Sequence, residues 1–244
     1  MELIGETVAW LTDPANWQGA SGIPTRTLEH IVLSGSALLI AIAIGLPIGL
    51  IVGHTRRGAT AAINVANIGR ALPTLAVITL VLPLTVLLDP QLGFKVYPTL
   101  FALVVLGLPP IVVNTYTGIS GIDPDLVEAA RGMGMTGRSV LSRVEIPVAI
   151  PVISGGVRAA ATQIVATATL GAIFGGVGLG NYLTEGIAQN DDGMIFGGVT
   201  LVALLCVATE GLFALIQRRL TSPGLAPAAV WMSRGRASAG AAAT

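Results

Sequence analysis

Long apolar runs separated by short polar ones dominate the pattern along this chain. A helix needs about 20 mostly apolar residues to cross a hydrocarbon core of about 30 Å. Five stretches meet that requirement, at approximately 31–53, 61–88, 98–118, 152–174 and 194–216. The first, IVLSGSALLIAIAIGLPIGLIVG, holds no charge. The second is longer than a crossing needs and is interrupted by Arg70, Pro73 and Pro83. The third contains Pro109 and Pro110, which predict a bend or break, because proline lacks an amide donor and crowds the preceding turn. Kinks of that kind survive at membrane depth where neighbouring protein satisfies the freed carbonyls, so the pattern predicts a helical bundle. Residues 1–30 carry Glu2, Glu6, Asp13 and Glu29 with Trp10 and Trp17, and no long apolar run. They lack the basic start and short apolar stretch of a secretory signal. The expected role is an extracytoplasmic surface segment with its tryptophans at headgroup level.

Composition narrows the class. Of 244 residues, 53% are hydrophobic and 11% charged, against roughly 25% charged in an ordinary soluble domain. The mean hydropathy is +0.80. So few charges cannot cover a soluble protein of this size. That excludes a cytosolic enzyme, a disordered chain and a secreted disulfide scaffold, and leaves an all-α integral membrane protein. The 13 basic and 13 acidic residues cancel, so no global basic field points to nucleic acid.

Charge placement sets the expected orientation. With the N-terminus outside, the cytoplasmic pieces (54–60, 119–151 and 217–244) hold Arg56, Arg57, Arg131, Arg138, Arg143, Arg218, Arg219, Arg234 and Arg236. The outside pieces hold Arg26 and Lys95. Cytoplasmic loops collect Lys and Arg, so this bias puts the N-terminus outside and the C-terminus in the cytoplasm. The tail over 221–244, rich in Ala, Gly and Ser, reads as disordered and cytoplasmic.

The longest connection expected on the cytoplasmic side, 119–151, has a structure of its own. Asp123-Pro124-Asp125 is a helix start, with Asp to cap and Pro in the first turn. Asp125 and Glu128 also have capping-box-like spacing. Leu126, Val127, Ala129 and Ala130 offer a small apolar surface; Gly132 and Gly134 end the helix, and Thr136 can cap a second short one reaching towards Pro147. The residues predict two short helices at a glycine elbow. Such a knob either fits a groove on another protein or lies as an amphipathic pair on the headgroups.

The stretch EAARGMGMTGRSVLSRVEIP (128–147) resembles the EAA signature of ABC-importer permeases. Glu128, Ala129 and Ala130 match, Gly134 falls at the required spacing, and Val144, Ile146 and Pro147 close the motif. Arg70-Ala71-Leu72-Pro73-Thr74-Leu75-Ala76, Ala168-Thr169-Leu170-Gly171-Ala172, Gly175-Gly176-Val177-Gly178-Leu179-Gly180, Glu29-His30 and Leu46-Pro47-Ile48-Gly49 are similar to the osmoprotectant branch, which imports glycine betaine, carnitine, choline and proline. The resemblance covers roughly residues 25–220. It implies a methionine-importer-like permease fold in a bacterial inner membrane. It also implies a second permease subunit, two ABC ATPase subunits and an extracytoplasmic solute-binding protein as partners. In that family the EAA loop is the coupling helix that fits a cleft on the ATPase, a role carried here to Glu128, Ala129, Ala130 and Gly134.

The remaining candidates are weighed on their residues. No G-x-x-x-x-G-K-[ST] is present, so phosphates cannot be cradled by the P-loop route, and if transport is ATP-driven, hydrolysis must come from a partner. Gly175, Gly176, Gly178 and Gly180 lack dinucleotide-binding spacing; they form either a functional flexible rim, where a binding protein delivers solute, or merely flexible backbone. Gly45, Gly49 and Gly53 have GxxxG spacing, as do Gly171 and Gly175; that suits close helix packing within the subunit or at a permease dimer. Arg70, Arg158 and Glu210 are the charges within crossings, each roughly 10–14 Å deep at about 1.5 Å per residue. Either Glu210 neutralises Arg70 or Arg158, or the arginines snorkel to headgroups. His30 and His54 stand on opposite sides by this topology, so they cannot share a metal, and Cys206 reads as packing. No catalytic constellation, metal site or cofactor is expected. Aromatic residues make up 5% of the chain, so a cation–π cage for a quaternary ammonium belongs on the soluble binding protein. An ion-coupled secondary transporter would need inverted repeats and intramembrane acids; a membrane scaffold would need a partner other than an ATPase.

Overall fold

The computed structural model describes residues 2–221, and the side chains of these residues except Ala62, Val65, Ala66 and Arg70. The expected tail beyond Thr221, with Arg234 and Arg236, lies outside the described residues, as does any pairing of the Arg70 side chain. Every regular element among the described residues is helical. In chain order these are α1 Glu2–Thr12, α2 Ile23–Thr55, α3 Ala59–Ala71, α4 Thr74–Leu88, α5 Leu92–Lys95 and α6 Tyr97–Ser120. There follow α7 Pro124–Gly132, α8 Gly137–Val140, α9 Ile146–Thr167, α10 Gly180–Gln189 and α11 Asp192–Leu220. A π-helical stretch, Leu141–Glu145, joins α8 to α9, and 3-10 turns cover Pro14–Trp17 and Ala168–Phe174.

Four segments are long and apolar enough to cross a membrane: α2, α6, the continuous Gly137–Phe174 and α11. The second expected crossing is instead two helices, α3 and α4, of 13 and 15 residues. Proline disfavours helical geometry in the residue before it, and Leu72 is extended accordingly, at φ −73° and ψ 123°. Pro73 then caps α4.

At the next proline site, where a bend or a break is expected, the helix does not break. α6 runs unbroken from Tyr97 to Ser120 through Pro109 and Pro110, both buried. Its neighbours are shaped to this region. Asn114 Nδ2 donates to the Pro110 carbonyl at 2.7 Å. Gly69 of α3 faces Pro109, and Gly156 of α9 lies so close that a Cβ there would stand 2.7 Å from the Pro110 carbonyl oxygen. Protein therefore encloses the prolines on both sides, as buried irregular backbone requires.

α6 is the axis of the bundle, packing on α2, α3, α4 and α9. Of its most apolar window 61% is buried, against none of that in α11. Gly45, Gly49 and Gly53 of α2 face Ile111, Thr115 and Ile119 of α6. Small residues at intervals of four on one helix thus receive β-branched residues at the same interval on the other. The structure assigns these glycines to packing within the subunit. Leu33, Ala37 and Ala41 join Leu103, Ile111, Ala160 and Ile164 in the main core. Leu80, Leu87, Leu204 and Val207 point outward and are exposed; an apolar exterior of this extent suits hydrocarbon rather than water.

The N-terminal segment is not a free surface strip. α1 packs along α11, and Trp10 meets Tyr182 edge-on at 4.9 Å between ring centroids. Gly197 provides the notch for the Trp10 ring. Trp10 is thus packed partly on protein, whereas Trp17 is exposed. α2 also begins at Ile23, well before the crossing expected from residue 31.

Candidate functional site

The 119–151 connection forms the expected elbow, with differences in detail. Asp123 is the N-cap of α7, accepting from the Asp125 amide at 2.9 Å; Asp125 itself lies within the first turn rather than capping. Pro124 occupies the first helical position, where no amide is needed. The helix closes in a glycine-dependent way. Met135 N–H donates to Ala130 O at 3.2 Å and Gly134 N–H to Arg131 O at 2.9 Å, the paired bonds of a Schellman cap. That geometry needs left-handed backbone after the cap, and Gly134 has φ +83°. Any other residue at Gly134 is strained.

Side-chain directions refine the surface. Glu128 and Ala129 are exposed and Ala130 is buried, so Ala130 supports α7 from beneath and does not join the presented face. Leu126 and Met133 are exposed at 44% and 77%. With Ala129 they give an outward apolar row spaced three and four apart, as one helix face requires. The sequence marks Met133 only by its position seven after Leu126. Val144 and Ile146 are half-buried and Pro147 is exposed. The second arm is not separate: α8, the π stretch and α9 form one continuous helical segment, with Thr136 capping its start through a 3.4 Å bond to Ser139 N.

This end of the bundle is basic. Arg56, Arg57, Arg131, Arg138, Arg143, Arg218 and Arg219 are all exposed there. His54 is not isolated, as its place in the sequence suggested. Its Nδ1 lies 2.5 Å from Glu145 Oε2, beside an open pocket of about 540 Å³ lined by Arg56, Val127, Glu128 and Arg131.

The opposite end is acidic and its glycines are pinned. Gly176, Gly178 and Gly180 are buried while Gly175 is exposed. A Cβ on Gly176 would stand 2.6 Å from the Gly171 carbonyl oxygen, and Gly180 abuts the Thr169 carbonyl. Close backbone approach, rather than flexibility, therefore explains these glycines. Gly178 N–H donates to Glu29 Oε2 at 3.1 Å, and Arg26 pairs with both Glu29 (3.2 Å) and Glu185 (3.6 Å). His30 is fully buried, its Nε2 bonded to the Val165 carbonyl at 2.9 Å. Tyr182 donates to the Ser21 carbonyl at 2.6 Å, and burial pushes its phenol up to about 12. Between the two ends, Arg158 Nε lies 3.2 Å from Glu210 Oε1, and Thr162 donates to Glu210 Oε2 at 3.0 Å. Both carboxylate oxygens are engaged, as an intramembrane charge demands. Among the described residues, no three His, Cys, Asp or Glu side chains gather as a metal site would require.

Comparison with known proteins gives this geometry a family. The chain is 36% identical over 200 residues to the glycine betaine/carnitine/choline transport system permease protein OpuCB of Bacillus subtilis, covering 82% of this chain and 89% of that one. It is 33% identical over 220 residues to the osmoprotectant import permease protein OsmW of Salmonella typhimurium, covering 90% and 99% respectively. In structure it is similar to a chain of the MetNI methionine ABC transporter in an inward-facing form. The TM-score is 0.74 at 21% identity, over 86% of this chain and 100% of that one; the likeness is one of fold. Residues 45–222 match the binding-protein-dependent transport system inner membrane component, and the chain accordingly belongs to that family of ABC-importer permeases.

Proposed function

We propose that this chain carries a compatible solute of the glycine betaine, choline or carnitine class across the bacterial inner membrane, driven by ATP hydrolysis on a separate subunit. The observation that carries the reading is the elbow. A doubly capped helix presents Leu126, Ala129 and Met133 outward, between Glu128 and a set of arginines, at the basic end of the bundle. A knob of that shape fits a groove on a partner. The basic end belongs in the cytoplasm, where the ATPase is found, and the N-terminus then lies outside. The rim from Gly175 to Gly180 lies at the other end, where a binding protein releases solute, and a second permease subunit, identical or related, completes the path. Few aromatic side chains line the bundle, so selection rests with the binding protein and this chain supplies a low-affinity route.

The test is recovery of the ATPase subunit with the detergent-solubilised chain, followed by uptake of labelled glycine betaine, choline or carnitine into vesicles. Glu128→Lys or Gly134→Asp should release the ATPase. ATP-independent uptake by the isolated chain would overturn the proposal.

A further inference from the structure

The contact between His54 and Glu145 is demanded by neither the motif nor the charge pattern. It spans 91 residues of sequence and joins the last turn of α2 to the root of the elbow. Glu145 is 5% exposed, and a buried carboxylate without a partner is strongly unfavourable. The π stretch brings it there. Residues five apart lie about 140° apart on an α-helix of 3.6 residues per turn, whereas π geometry bonds residues at that spacing. Val140 and Glu145, five apart across Leu141–Glu145, are both buried, and Ala149 continues the same inward row. A regular helix would set Val140 and Glu145 about 140° apart and could not turn both inward.

The other edge of the His54 ring faces Gly137. Its Nε2 is 3.5 Å from the position of a Cβ on Gly137, the first residue of α8. The ring therefore bonds Glu145 at one end of this segment and faces the bare backbone of Gly137 at the other. Among the described residues, no other side-chain hydrogen bond links 121–145 to the rest of the subunit. Beside it, the open pocket separates α7 from the end of α2.

We propose that His54 and Glu145 form the joint through which displacement of the elbow is passed to α2, which makes them positioning residues for coupling. This rests on the reading of the elbow as the ATPase-docking element. A push on α7 reaches α9 through the continuous helix. It reaches α2 through this clasp, and α2 carries it to α6 through the Gly45–Gly49–Gly53 row. Without the clasp α2 lags, and hydrolysis proceeds with less solute moved.

The experiment uses the whole transporter in vesicles, with its ATPase and binding protein. The solute is whichever of glycine betaine, choline and carnitine the unaltered complex takes up best. The readouts are ATPase retained and solute moved per ATP hydrolysed. His54→Ala and Glu145→Ala should retain the ATPase and lower the ratio about twofold or more, the scale on which substitutions along a coupling route act. His54→Asn, whose amide nitrogen can reach Glu145 as Nδ1 does, should restore at least half of the loss. A smaller fall in His54→Ala, a loss that His54→Asn leaves unrestored, or loss of assembly in His54→Ala would each overturn the joint. Glu128→Lys separates the two claims. If it leaves the ATPase bound, the docking reading fails; if it releases the ATPase while His54→Ala keeps the full ratio, the joint alone fails.

Discussion

Gly49→Ala tests how tightly the bundle is built. A Cβ at Gly49 would stand 2.5 Å from Thr115 Cβ, 2.8 Å from its Cγ2 and 3.0 Å from the Val112 carbonyl oxygen. Ordinary carbon contacts lie at about 3.5–4.0 Å, so α2 and α6 must part by about an ångström along their main interface. Neither obstacle can swing aside, because one is a branch-point carbon and the other is backbone. Overpacking of this kind costs about 1–3 kcal/mol, more than the helix propensity of about 1 kcal/mol that alanine gains over glycine. Gly35, on the same helix, has open space at its Cβ position and supplies the control. Gly35→Ala should hold or raise the thermal midpoint in detergent, and Gly49→Ala should lower it by several degrees. Thr115→Ser removes the 2.8 Å clash with Cγ2 and leaves the 2.5 Å clash with Cβ, so it should rescue Gly49→Ala in part. Equal midpoints for the two alanine variants would refute the packing argument, and full rescue by serine would refute its geometry.

Three further outcomes follow from the same structure. Glu210→Gln leaves Arg158 unpaired at membrane depth on an exposed face of the subunit, so the yield of folded protein should fall; Arg158→Gln/Glu210→Gln should recover more than either single change, because the unpaired charge is then gone. Burial holds the Tyr182 phenol neutral up to about 12, above its unfolded value of about 10. Its contribution is therefore complete below pH 10 and is lost as pH rises from there through the folded value, by up to about 3 kcal/mol. Stability measured across that window should fall in the native chain and fall less in Tyr182→Phe. Asp123→Ala removes the α7 cap, worth about 1 kcal/mol; amide exchange at 125–127 should quicken about fivefold, with global stability lower by no more than about that 1 kcal/mol.

Much of the architecture was legible because each membrane helix satisfies its own backbone hydrogen bonds, so length and hydropathy suffice to find it. The elbow was legible for a similar reason. Asp123, Pro124, Gly134 and Thr136 act on backbone groups within a few residues of themselves. The proline pair left bend and break open, because whether a proline breaks a helix depends on what packs against it; α3 and α9 enclose Pro109 and Pro110, and α6 continues. The rim glycines looked flexible in one dimension and are crowded in three.

What tertiary structure decided is partnership between distant residues. Sequence alone limited the intramembrane charges to a few pairings, and the facing of α9 and α11 brings Arg158 to Glu210. Local pattern could not give His54 a partner, because Glu145 faces it through a π turn that hydropathy does not encode. Local pattern likewise could not give Trp10 its packing partners, the notch at Gly197 and the Tyr182 ring. Periodicity reports which face of a helix is apolar; what that face meets depends on how the helices cross, and crossing is settled by volumes and polar partners far apart in the chain.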